Sequence, residues 1–101
     1  MTAKRFYRRR FLNRRGFHAG AYLLAICEVE AFRPKCGPAQ HTIAAEFTIA
    51  DCGRIASLDF SVNSEPGAQN ALHKARMLRD VMIDFTDALE TAVADWRERQ
   101  N

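Results

Sequence analysis

The sequence predicts an α+β fold: a three-stranded antiparallel β-meander packed on one long C-terminal α-helix, with a basic N-terminal arm. Three observations predict this class. Residues 21–63 alternate apolar and polar side chains in successive segments, as half-buried strands do. Residues 66–99 repeat apolar side chains every three or four positions, the period of an amphipathic helix. Residues 1–17 are dominated by cations and follow neither pattern.

Length and charge set the first limits on function. A chain of 101 residues can bury one modest core, so we expect residues 1–101 to form a single domain. Residues 1–15 hold seven Lys or Arg and no acid, whereas residues 16–101 hold eight cations and twelve acids, a net charge of −4. This segregation of charge suggests that an anionic partner binds the N-terminal arm.

Three segments read as strands. The first runs from Ala21 to Phe32 and is followed by the proline-rich loop RPKCGPAQ; the second covers residues 42–50 and the third residues 55–62. A tight turn at Cys52-Gly53 would join the last two strands as a hairpin. That hairpin pairs apolar with apolar residues throughout, namely Ile49 with Ala56, Phe47 with Leu58, Ala45 with Phe60 and Ile43 with Val62.

The remaining sequence predicts one helix. Ser64 and Pro66 are typical of a helix start. A helix of this extent would be about 45 Å long and the strands about 30 Å, so we expect one end to extend beyond the sheet. Its apolar stripe consists of Ala71, Ala75, Leu78, Met82, Phe85, Leu89, Ala92 and Trp96, widened by Leu72, Val81 and Val93.

The sheet face turned away from the helix should be mixed in character. The alternation assigns to it the acids Glu28, Glu30, Glu46 and Asp59, together with Tyr22, Leu24, Ile26, Phe32 and Ile55. We interpret the acids as a solvated face in preference to a divalent-cation or acid-base site. The apolar part should be covered by the N-terminal arm or by a second subunit.

Catalytic motifs are lacking in the sequence. It contains no G-x-S-x-G elbow and no glycine-rich phosphate loop. Cys27, Cys36 and Cys52 form no C-x-x-C pair, which favours a reducing cytoplasm over a disulfide framework. Cys36 and Cys52 fall at opposite ends of the second strand, so we expect no metal site. We therefore expect a non-enzymatic protein without cofactor, and no segment is apolar enough to span a membrane.

The arm is the main candidate site. Its arginines suit bidentate contacts with phosphate, and its aromatic residues could stack on unpaired bases of a nucleic acid or nucleoprotein. The predicted partner-binding residues are Lys4, Arg5, Phe6, Tyr7, Arg8, Arg9, Arg10, Phe11, Arg14, Arg15, Arg33, Lys35 and Arg54.

Two resemblances and one alternative accompany this hypothesis. The predicted topology resembles the DNA-binding domains of certain phage and transposon integrases and of plant transcription factors that lay such a sheet in the major groove. Those sheets carry Arg and Trp where this one carries acids, so binding should come from the arm. The run Arg8 to Leu12 resembles a twin-arginine export signal, although Glu28 interrupts the apolar run that follows. The alternative is an inhibitor or assembly protein of the phage or mobile-element kind, acting by protein contact; a homodimer is also expected.

Overall fold

The computed structural model describes residues 5–100, which form a four-stranded antiparallel sheet followed by one long helix. The strands lie in the order β1-β2-β3-β4, so each pairs with its neighbour in sequence. The predicted α+β class is confirmed, but the prediction of three strands was wrong. The elements are β1 (Arg5–Phe11), β2 (Tyr22–Phe32), β3 (Gln40–Asp51), β4 (Arg54–Asp59) and α1 (Glu65–Gln100).

The additional strand is the segment that the sequence predicted to be a basic arm. β1 pairs antiparallel with β2, from Arg5 opposite Glu28 to Phe11 opposite Tyr22. It therefore extends the sheet at one edge instead of folding back over a face. The period-two pattern was hidden because arginines and aromatic residues occupy both faces of β1. Charged side chains are tolerated on such a strand, since an edge strand has a neighbour on one side only.

The β3–β4 hairpin has the predicted turn and register. Cys52 and Gly53 both have positive φ angles, 49° and 82°, as a two-residue type I′ turn requires. Glycine adopts this backbone region without steric cost. The four predicted apolar pairs are all present: two lie within β4, Phe60 donates its N–H to the Ala45 carbonyl, and Val62 bridges to Ile43.

The chain divides into two compact units, the first ending at Ala71 and the second beginning at Leu72. The first contains the sheet and the start of α1. Ser64 caps this helix, because its Oγ accepts the N–H of Gly67 at 3.1 Å. In the second unit α1 continues to Gln100 and has Arg97 and Arg99 in its last turn, where cations favour the helix dipole.

Burial is concentrated at one end of the sheet. Ala21 and Ala50, only 4% and 2% exposed, are the buried apolar residues of the described chain. The large side chains of the helical stripe are all exposed, with fractions between 43% and 58%. Packing of α1 on the sheet remains a prediction.

Candidate nucleic-acid interface

The strand register assigns each side chain of the sheet to one of two faces, because directly paired residues share a face. We call these the mixed face and the apolar face. The mixed face contains Arg5, Tyr7, Arg9 and Phe11 of β1, Tyr22, Leu24, Ile26, Glu28 and Glu30 of β2, Gln40, Thr42, Ala44, Glu46, Thr48 and Ala50 of β3, and Ile55, Ser57 and Asp59 of β4. The apolar face contains Phe6, Arg8 and Arg10 of β1, Leu23, Ala25, Cys27, Val29 and Ala31 of β2, His41, Ile43, Ala45, Phe47, Ile49 and Asp51 of β3, and Arg54, Ala56 and Leu58 of β4.

Charge is unevenly distributed along the mixed face. Its four acids, Glu28, Glu30, Glu46 and Asp59, lie in three consecutive rows across the strands, Glu30-Thr42, Arg5-Glu28-Ala44 and Tyr7-Ile26-Glu46-Asp59. The last two rows, toward the β1–β2 loop, are Arg9-Leu24-Thr48-Ser57 and Phe11-Tyr22-Ala50-Ile55. We call the last two rows the acid-free end. The sequence correctly predicted that the acids share a face, but not that they are confined to part of it.

One of the acids is paired with β1. The Nε of Arg5 lies 3.6 Å from an Oε of Glu28. Such a surface pair contributes little to stability, but it offsets the negative charge of the row that contains it. Glu46 and Asp59 are direct partners two and three strands away from the β1 edge. These two carboxylates therefore lie toward β4, away from the arginines of β1.

Each aromatic ring of β1 carries a guanidinium beside it. The Arg9 guanidinium carbon lies 5.7 Å from the Phe11 ring centre, and that of Arg5 lies 5.6 Å from the Tyr7 ring centre. On the apolar face the same relation joins Arg8 and Phe6 at 4.9 Å. These distances are typical of cation–π pairs. All three rings are also exposed, so β1 presents stacking surfaces and phosphate-binding donors side by side.

Hydroxyl groups continue the acid-free end across the sheet. Thr48 Oγ1 and Ser57 Oγ are hydrogen-bonded to each other at 2.9 Å, next to Leu24 in the same row. Phe11 and Tyr22 are directly opposite one another in the adjacent row. This part of the sheet therefore combines one arginine, two aromatic rings and two uncharged polar groups.

The structure divides the predicted binding residues between the two ends of the sheet. Arg14 and Arg15 lie in the β1–β2 loop and Arg54 begins β4, all at the end where Phe11 and Ala50 lie. Loop and turn are joined there by the Cys52 N–H, which donates to the Gly20 carbonyl at 3.2 Å.

The other predicted cations lie elsewhere. Arg33 and Lys35 are in the β2–β3 loop, beyond the opposite end of β2. Ten strand residues span about 33 Å, so these two cations and the acid-free end cannot contact the same nucleotide. Lys4 lies outside the described residues.

One cluster was missed by sequence reasoning. His18, Asp51 and Cys52 place their nitrogen, oxygen and sulfur atoms within 4.8 Å of one another, all at exposed positions. The His18 Nε2 lies 3.5 Å from Cys52 Sγ and 4.0 Å from Asp51 Oδ1. Pairing of Tyr22 with Ala50 brings the loop containing His18 to the hairpin turn, so the predicted pairing of β2 with β3 was the signal that could have found this cluster.

The hydrogen bonds of His18 favour a structural role for this cluster. Its Nδ1 accepts the N–H of Gly20 at 3.2 Å. A metal bound to Nδ1 would displace this hydrogen bond. A metal bound to Nε2 would force the ring proton onto Nδ1, and Nδ1 could then no longer accept the Gly20 N–H. In a catalytic Cys-His-Asp relay the thiol contacts one ring nitrogen of the histidine and the carboxylate contacts the other. Here the same nitrogen, Nε2, is the one nearer to Cys52 and the one that faces Asp51. These contacts are consistent with a cluster that holds the β1–β2 loop against the β3–β4 turn.

Residues 5–100 include no helix whose length and hydropathy would allow it to cross a bilayer. Comparisons of this chain with protein-family models, with curated proteins and with solved structures each find no match.

Proposed function

We propose that this protein binds single-stranded nucleic acid along β1 and the acid-free end of the mixed face, acting as a binding protein and not as an enzyme. The observation that carries the proposal is the alternation of arginines and exposed aromatic rings on the mixed face of β1, Arg5-Tyr7-Arg9-Phe11, with a guanidinium beside each ring. Stacking accepts any base, and the arginines supply charge for the phosphates.

The distribution of acids supports a path for the strand. A nucleic acid crossing the whole mixed face would meet Glu46 and Asp59, whose charges repel phosphate. A strand that follows β1 toward the β1–β2 loop instead meets Arg9, then Phe11, then Arg14 and Arg15. The same acids disfavour insertion of this sheet into a duplex groove. An unpaired strand is the better fit, because its bases are free to reach exposed rings.

The compartment is part of the proposal. Cys27, Cys36 and Cys52 are exposed free thiols, which suits a reducing cytoplasm.

A salt titration tests the proposed function. Binding of a fluorescein-labelled 20-nucleotide thymidine strand is followed by anisotropy, and log K is plotted against log salt concentration. Each neutralised phosphate contributes about −0.7 to that slope for a single strand. The triple variant R9Q/R14Q/R15Q should therefore make the slope shallower by about 2.

A matched pair of controls makes the test specific. The variant R33Q/K35Q removes cations from the opposite end of the sheet, and R97Q/R99Q removes them from the end of α1. Both should leave the slope within about 0.7 of the unmodified protein. Absence of salt-dependent binding to any single-stranded DNA or RNA would contradict the proposal.

A second candidate function is an inhibitor or assembly protein that acts by protein contact. The observation that favours it is the apolar stripe of α1, because contiguous exposed apolar side chains of this extent are typical of protein-binding surfaces. Under this alternative, R8E/R9E/R10E should disrupt a complex with a defined protein that survives nuclease treatment. A complex that nuclease dissolves would instead support nucleic-acid binding.

A further inference from the structure

The apolar stripe of α1 has a spacing that suits pairing with a second helix. Its apolar positions are spaced four and three residues apart from Ala71 to Trp96, the heptad repeat of helices that pack side by side. The large side chains among them are all exposed. The stripe covers 26 residues, which correspond to about 39 Å of helix at 1.5 Å per residue.

The stripe is complementary to itself when reversed. An antiparallel pair of identical helices, with Met82 of one opposite Phe85 of the other, gives every position of the stripe a partner. In this register alanine faces alanine or tryptophan, and the residues of intermediate size face one another, so the side-chain volume is spread evenly along the interface. The resulting layers are Ala71 with Trp96, Ala75 with Ala92, Leu78 with Leu89, and Met82 with Phe85, each occurring twice by symmetry.

The flanking positions agree with the same register. On one side of the seam Lys74 faces Asp95 of the second copy, a pair of opposite charges. On the other side Leu72 faces Val93 of the second copy, so the apolar surface is continued. A parallel pair would instead bring Lys74 near Arg79 of the second copy, where like charges repel.

The charge of the whole helix also favours reversal. Residues 73–79 contain Lys74, Arg76 and Arg79 and no acid. Residues 80–95 contain five acids and no Lys or Arg. In this register residues 73–79 of each helix lie beside residues 88–94 of the other, which contain Glu90 and adjoin Asp95, whereas a parallel arrangement places the two cationic segments beside each other.

We propose that α1 pairs with α1 of a second copy in an antiparallel two-helix interface centred between Ile83 and Asp84, in the register given above. The occupant of the exposed stripe is thus another molecule of this protein. The inference is independent of the proposed function, because neither its argument nor its test involves nucleic acid.

Disulfide trapping in the full chain tests the register. The three native cysteines are first replaced by serine, and Ala75→Cys and Ala92→Cys are then made separately. In the proposed register neither variant places its cysteine near its own equivalent, so each alone should cross-link poorly under mild oxidation, whereas their mixture should give a covalent dimer. Cross-linking of each variant alone would indicate parallel pairing and overturn the proposal. A mixture that yields no dimer would also overturn it.

Charge exchange gives a second, independent test. Lys74→Asp should weaken the dimer roughly tenfold, since it replaces two attractive pairs by two repulsive ones. Asp95→Lys should weaken it at least as much, because it also removes the Arg99–Asp95 ion pair within each helix. The double variant K74D/D95K should restore most of the affinity, measured by sedimentation equilibrium, with circular dichroism confirming equal helix content. Failure of the double variant to recover affinity would contradict the register. An unmodified chain that is monomeric at tens of micromolar would overturn the proposal.

Discussion

Comparing Phe11→Ala with Phe6→Ala tests which face of β1 binds the nucleic acid. Phe11 lies at the acid-free end beside Arg9 and is 61% exposed, whereas Phe6 lies on the apolar face beside Arg8 and is 46% exposed. Both rings belong to one strand and both have a guanidinium neighbour. Phe11→Ala and Phe6→Ala are therefore a matched pair that differs in the face affected.

The expected magnitude follows from stacking. Loss of one stacked base costs about 1–3 kcal/mol, so Phe11→Ala should raise the Kd for a single strand by roughly 5- to 140-fold. Phe6→Ala should change the Kd by less than about threefold, because its ring is on the opposite face. The cost in folding should be small for Phe11, since a ring that is more than half exposed loses only part of the roughly 1.5–3 kcal/mol of full burial.

Anisotropy with the labelled thymidine strand at fixed salt measures both constants, and thermal unfolding of each variant confirms that the fold persists. If Phe6→Ala weakens binding as much as Phe11→Ala, the assignment of the nucleic acid to the mixed face is wrong. If neither changes the Kd, stacking on these rings plays no part in binding.

Three further predictions concern stability. Gly53→Ala should lower the free energy of unfolding by about 1 kcal/mol, because an alanine is strained at this positive φ even though no atom lies within 4 Å of the added Cβ. Cys52→Asn should be tolerated, since Asn-Gly suits a type I′ turn. Urea unfolding measures both; a neutral Gly53→Ala would contradict the turn assignment. Ser64→Ala should cost about 1 kcal/mol through loss of the helix cap, whereas Ser64→Asp, whose carboxylate can still accept the Gly67 N–H, should retain the stability. Zinc should not raise the Tm, because the His18 Nδ1 already accepts a hydrogen bond; a rise that His18→Ala abolishes would show that the cluster binds metal after all.

Sequence reasoning worked where one physical pattern dominated. The register of the β3–β4 hairpin could be predicted because Phe47 and Leu58 and their neighbours alternate cleanly, and a slip of one residue would expose them all. The start of α1 could be predicted from Ser64, whose side chain has a specific capping role.

The same reasoning failed where the fold depends on partners distant in sequence. β1 owes its structure to hydrogen bonds with β2 and not to a hydrophobic period, so RFYRRRF gave no sign of a strand. His18 meets Cys52 because pairing of β2 with β3 brings the residues before β2 beside the β3–β4 turn, but the conformation of the loop that contains His18 follows no pattern in the sequence. The acid-free end could not be predicted either, since it depends on the relative register of all four strands.

The position of β1 at the edge of the sheet has a consequence for handling this protein. The outer side of an edge strand carries unpaired backbone donors and acceptors, which invite pairing with strands of other molecules. Here the side chains of Arg5, Arg8, Arg9 and Arg10 surround that edge with like charges, which keep approaching copies apart. Variants that neutralise these arginines are therefore expected to precipitate more readily, and high salt should have the same effect on the unmodified chain by screening the repulsion.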